Sequence, residues 1–136
     1  MNYHRVLQYL DAVAANANND IAGSPHRAFW KNPANPDGNM TYAEFVGGVV
    51  PVVHCHGNPV PIIDRSNLPT SASKSAFYLI LRSPAGWCDT PAQMPDGGPF
   101  ITDPGYQVTL DDGTVVTGAT IDADLGQWLA NGFPED

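Results

Sequence analysis

Basic side chains are scarce in this sequence. Six Lys and Arg stand against fourteen Asp and Glu, so the 136-residue chain carries a formal charge of −8 at pH 7. A phosphate backbone or an anionic lipid surface would repel a chain of this charge. We therefore expect no nucleic-acid binding, and we expect a protein partner that presents a basic face.

Long apolar runs are missing as well. The longest stretches, such as Phe45–Val53, are too short to span a bilayer, which predicts no membrane insertion. The first thirty residues also lack the apolar core of a secretory signal. A cytoplasmic location is therefore expected for the chain as written, and a periplasmic or extracellular one if it carries a haem or a disulfide.

Cysteine occurs only twice, as Cys55 and Cys88, which lie 33 positions apart. In an oxidising compartment the two would pair, and the chain-entropy model assigns such a bridge roughly 3–4 kcal/mol of stabilisation. In the cytosol both thiols would stay reduced. The count alone leaves the two states open.

No complete catalytic motif is present. The sequence has no Gly-x-Ser-x-Gly, no Walker loop, no His-Glu-x-x-His and no Rossmann fingerprint. Its carboxylates lie mostly in turn or cap positions, where no pair has the surroundings that would separate two pKa values for acid–base work. The sequence therefore leaves open whether the protein is an enzyme.

Glycine and proline, in contrast, are abundant, with thirteen of each. Both residues interrupt helices and strands, so we expect short elements joined by long ordered loops. Apolar residues recur at helical spacing in several segments, and capping residues mark their ends. Helices are predicted at residues 2–17, from Thr41 with a Thr41–Glu44 capping box, at 71–82, and at 120–131 with Thr120 as the N-cap.

One β-hairpin is predicted late in the chain. Asp111-Asp112-Gly113 is a strong turn signal between the alternating segments 106–110 and 114–117. Residues 57–70 and 87–105 contain many prolines and glycines and are predicted as long loops. The expected fold class is therefore mainly α.

Three groups of residues occur in an order that has chemical meaning. They are His54-Cys55-His56-Gly57, Met94-Pro95 in a Gly/Pro-rich loop, and the helix ending Trp128-Leu129-Ala130-Asn131-Gly132. In this order they resemble the class I (monohaem) c-type cytochromes, which place a Cys-x-x-Cys-His attachment motif early, then a Met-Pro loop, then a terminal helix. Haem iron in such proteins takes one imidazole and one thioether ligand.

The resemblance implies both a fold and a ligand set. The fold would be a small cytochrome-c-like helical domain over residues 1–136, with long Pro/Gly-rich loops and one inserted β-hairpin. Residues 1–40 would form an N-terminal helix and loop extension. His56 and Met94 would be the axial ligands of a haem c attached through Cys55.

The attachment motif is degenerate, because Val52 stands where an intact motif has its first cysteine. Only a single thioether, through Cys55, is then available. The lost cysteine and the missing export signal both favour a first hypothesis. In it, the protein is a haem-free cytochrome-c-like accessory or interaction subunit of a redox or biosynthetic system. The second is a single-thioether c-type haem protein for electron transfer or haem catalysis. The third is a small Cys/His/Met metal-binding protein with His56 and Met94 as ligands.

Overall fold

The computed structural model describes residues 1–19, 28–83 and 93–136. Within these ranges the chain forms four α-helices, one short 3₁₀ helix and two antiparallel β-hairpins. In chain order the elements are α1 (Tyr3–Ala15), α2 (Tyr42–Gly47), β1 (Val49–Cys55), β2 (Asn58–Pro61), the 3₁₀ helix (Ala72–Lys74), α3 (Ala76–Arg82), β3 (Gln107–Thr109), β4 (Val115–Thr117) and α4 (Gly118–Ala130).

The two hairpins make the fold mixed α/β. Helices account for 35% and strands for 16% of the described residues, so the expected mainly α class with a single inserted hairpin is wrong. The missed hairpin pairs Val49 with Pro61 and Cys55 with Asn58. Its prolines argued against a strand, but a two-stranded sheet has only edge strands, and an edge strand tolerates proline because its outward N–H is not needed for pairing.

Capping side chains set most of the helix ends. Thr41 accepts from the backbone N–H of Glu44, and the Glu44 carboxylate accepts from the N–H of Thr41, so the predicted capping box is confirmed. The predicted N-cap of the last helix is wrong: α4 begins at Gly118, and its N-cap is Thr117, which accepts from the N–H of Thr120. Because β4 ends at Thr117 and leads directly into α4, the N-cap lies three residues earlier than predicted.

The third predicted helix is divided at Ser75. This residue has an extended backbone (ψ 133°), which separates the 3₁₀ helix from α3. Its buried hydroxyl donates to the carbonyl of Ala72 and accepts from the N–H of Asp64. Ser75 therefore links the loop at Asp64 to the start of α3. Local helical spacing does not reveal this longer-range contact.

Aromatic side chains fill the centre of the core. Phe45 of α2 and Trp128 of α4 are at most 1% exposed. The Phe45 ring lies 5.5 Å from Phe77 in an edge-to-face arrangement and 6.5 Å from Trp128, measured between centroids. The Trp128 indole donates to the carbonyl of Pro134, 2.9 Å away, which ties the C-terminal segment to α4. Side chains from α2, α3 and α4 thus pack directly against one another.

Candidate functional site

The β1–β2 hairpin carries most of the residues that the sequence singles out. None of the seven residues of β1 is buried; four are exposed and three are half-buried. Val49 is 47% exposed and Val52 is 68% exposed. At its base the hairpin is fixed by Ile62, which is fully buried and donates its backbone N–H to the carbonyl of Gly48. The strand is therefore anchored at the core but open to solvent along its length.

His56 lies at the tip of this hairpin. Cys55 pairs with Asn58, which leaves His56 and Gly57 as a two-residue turn. Both turn residues have positive φ, 49° and 80°, as a type I′ turn requires. His56 and the nearby His54 are exposed. The predicted axial ligand is thus a turn residue with its ring in solvent.

Cys55 is half-buried and disulfide-bonded. The second predicted half of the bridge, Cys88, lies outside the described residues, so the Cys55–Cys88 pairing stays a prediction. A sulfur that is part of a disulfide has no valence left for a thioether. Cys55 as placed here does not fit the covalent attachment of haem.

Met94 lies at the other end of the predicted ligand set and belongs to a tightly held loop. Its backbone N–H donates to the carbonyl of Ile80 in α3, 2.9 Å away, and its side chain is half-buried. The following loop is joined to the segment after α1, since the side chain of Asn18 donates to the carbonyl of Gly97 and that of Asn19 donates to the carbonyl of Asp96. These contacts fix the backbone of the loop, and the axial-ligand role of Met94 stays a prediction.

Metal ligands of the zinc or copper type are not brought together. Across residues 1–19, 28–83 and 93–136, no three His, Cys, Asp or Glu side chains converge on one point. The predicted roles of His56 and Met94 as metal ligands remain untested, and no third Cys, His or carboxylate supports them in these ranges.

Val52 has a backbone conformation that β-branched residues rarely adopt. Its φ is 57°, and it lies where the β1–β2 register is interrupted by a bulge between Val49 and His54. A left-handed conformation costs a non-glycine residue on the order of 1–3 kcal/mol. Sequence patterns gave no signal for this exposed and strained valine, because bulge positions depend on pairing register rather than on residue type.

Relieving this strain is expected to stabilise the protein. Val52→Asn should raise the free energy of unfolding by about 1 kcal/mol in urea titrations, because asparagine tolerates the left-handed region and little buried apolar area is lost. Val115→Asn is the matched control, since Val115 is 57% exposed on β4 and has no positive φ. That control should be neutral or slightly destabilising. Equal effects at both positions would argue against strain at Val52.

None of the helices in the described part of the chain is both long and apolar enough to cross a lipid bilayer. Comparisons with protein-family models, with curated proteins and with solved structures give no match.

Proposed function

We propose that this protein is a haem-free interaction subunit that binds a protein partner through the β1–β2 hairpin. The observation that carries the proposal is the exposure of Val52, 68%, on a strand without a buried residue. An apolar side chain kept in solvent at a strained backbone position contributes little to folding. Val49 on the same strand is 47% exposed, and the two valines together offer apolar area to a partner.

The backbone of β1 supports the same conclusion. Within the described residues β1 pairs with β2 alone. In β2, Pro59 and Pro61 remove two backbone donors. Val53 and His54 of β1 follow the strained Val52 without a proline, and we infer that their backbone groups can pair with an added strand. The hairpin is therefore suited to accept an extended segment along β1 and not along β2.

The charge of the chain indicates the chemistry of the partner. Residues 49–61 contain no Asp, Glu, Lys or Arg, while the whole chain carries −8. A partner segment with apolar residues at its centre and Lys or Arg around them would match both features, and the long-range attraction would accelerate association. The binding rate is then expected to fall as salt concentration rises.

Site-specific crosslinking tests this proposal and identifies the partner. A photoreactive amino acid is placed at position 52 in one variant and at position 115 in a control, and both are expressed in the source cells. Because Val115 is similarly exposed but lies on the other hairpin, a partner of β1 should crosslink at 52 and not at 115. Equal capture at both positions would contradict the proposal.

Binding of the purified partner then gives the quantitative result. Val52→Asp should raise the dissociation constant at least about tenfold, because a carboxylate would lose its hydration at the centre of the contact. Val115→Asp should leave it within about twofold. A Val52→Asp variant that binds as the wild type does would remove the hairpin from the interface.

The haem-bound alternative makes a separate spectral prediction. Protein expressed together with haem-attachment machinery should be colourless if Cys55 is held in a disulfide. A Soret band that survives acid–acetone extraction would establish a thioether on Cys55 and replace the interaction proposal with a redox function.

A further inference from the structure

The loop before α2 has the ligand spacing of a calcium-binding loop. In twelve-residue loops of the EF-hand type, oxygen ligands occupy positions 1, 3, 5, 7, 9 and 12, and position 6 is glycine. Counted from Pro33, positions 3, 5, 6 and 12 are Asn35, Asp37, Gly38 and Glu44. Four of the residue types that define the pattern thus occur in register, and only the first position departs from it.

The structure places two amide side chains of the loop, those of Asn32 and Asn35, against the carboxylate of Glu44. The Asn32 amide nitrogen is 2.9 Å from one of its oxygens, and the Asn35 amide nitrogen is 2.7 Å from the other. The same nitrogen of Asn35 lies 2.7 Å from the backbone carbonyl oxygen of Asn39, the seventh position. The Asn39 carbonyl and one oxygen of Glu44 therefore face the same amide group of Asn35, and the amide of Asn32 contacts the other oxygen of Glu44.

The backbone of the loop matches the pattern at two further points. Gly38 has φ 74°, the left-handed conformation that the sixth position requires. The helix α2 begins at Tyr42, directly after the ninth position, Thr41. A short antiparallel bridge between Lys31 and Asn39 closes the base of the loop. The residues just before the loop, 28–30, form a turn, so this is a single loop followed by a helix.

We propose that residues 32–44 bind a calcium ion. The ligands are the Glu44 carboxylate, the Asn39 carbonyl and side-chain oxygens of Asp37 and Asn35. Asn32 supplies the oxygen that Pro33, at the first position, lacks. In the bound state the amides of Asn32 and Asn35 would turn about their terminal torsion, which places each oxygen where the nitrogen now donates to Glu44. Asn32 would then exchange its hydrogen bond from the N–H of Ala34 for the ion. A ligand set made only of oxygens is the kind that Ca²⁺ prefers.

The electrostatics of the loop favour a weak site. The N–H of Thr41 and the amides of Asn35 and Asn32 lower the pKa of Glu44, and the N–H of Asn39 lowers that of Asp37, so both carboxylates are charged at neutral pH. The ammonium group of Lys31 lies 2.8 Å from Asp11 and 2.6 Å from the side-chain oxygen of Asn39, so a positive charge at the edge of the loop also weakens the site. Two carboxylates are fewer than a tight site contains, which predicts a dissociation constant of about 0.1–1 mM.

A calcium titration followed by ¹H–¹⁵N correlation spectra tests the site in the full chain. With CaCl2 raised to 10 mM, saturable shifts are expected at residues 32–44, and MgCl2 should give weaker ones because Mg²⁺ dehydrates reluctantly. Glu44→Gln should weaken calcium binding at least about tenfold. Glutamine can keep the capping box with Thr41, so this variant is expected to fold.

Asp111→Asn is the matched control, because Asp111 is an exposed carboxylate in the turn of the β3–β4 hairpin. It removes one negative charge outside the loop and should leave calcium binding unchanged. The proposal is overturned by three results: shifts that do not saturate, shifts spread over the acidic surface, or equal losses in Glu44→Gln and Asp111→Asn. Its failure would leave the hairpin proposal untouched, since the two depend on different residues.

Discussion

Replacement of Gly118 by alanine is expected to lower the free energy of unfolding by about 3 kcal/mol. Gly118 is the first residue of α4, is buried, and donates its N–H to the carbonyl of Tyr106. A Cβ at this position would lie 1.8 Å from the carbonyl oxygen of Ile101, which is backbone and cannot rotate away. Relief of that overlap requires α4 or residues 100–102 to move, with loss of packing around the buried Ile101.

Gly47→Ala provides the matched control for this substitution. Gly47 is also helical, as the last residue of α2, but nothing lies within 4 Å of a Cβ placed there. Alanine at this position should be neutral or raise the free energy of unfolding by up to about 1 kcal/mol. Urea denaturation of both variants measures the contrast. A Gly118→Ala protein as stable as Gly47→Ala would mean that α4 does not approach residue 101 this closely.

Local features of the fold could be predicted from the sequence, whereas the close contact of Gly118 could not. The capping box at Thr41 and Glu44 was predictable because a cap is a local feature with a fixed spacing. The β3–β4 hairpin was predictable for the same reason, from its Asp-Asp-Gly turn. The close approach of Gly118 to Ile101 joins residues 17 positions apart, and no local pattern records it.

The candidate site was harder to predict than the fold. From the resemblance to c-type cytochromes, Cys55 and His56 were predicted to belong to a haem-attachment motif, and the hairpin that contains them was not predicted. The type I′ turn at His56-Gly57 has a recognisable turn glycine, but Pro51 and Pro59 argued against flanking strands. In the polar loop before α2, only the Thr41–Glu44 capping box was predicted. Its ligand spacing becomes apparent when Asn35, Asp37 and Glu44 are counted together.

Loss of the disulfide at Cys55 is the other change expected to have a large effect. Cys55→Ser should lower the free energy of unfolding by about 3–4 kcal/mol under oxidising conditions, if the bridge closes the 33-residue separation to Cys88. An isolated two-stranded hairpin is marginally stable in water. The bridge is therefore expected to hold the tip of β1–β2 while the buried Ile62 holds its base.

Urea denaturation of four proteins tests the pairing: the wild type, Cys55→Ser, Cys88→Ser and the double variant. If the two cysteines pair, each single variant and the double variant should lose the same free energy, because removal of either sulfur breaks the same bond. A reducing agent should bring the wild type close to the variants. A Cys88→Ser protein that keeps wild-type stability would assign Cys55 to a different bond. Loss of the disulfide should also weaken partner binding, since Val52 would then lie on a mobile strand.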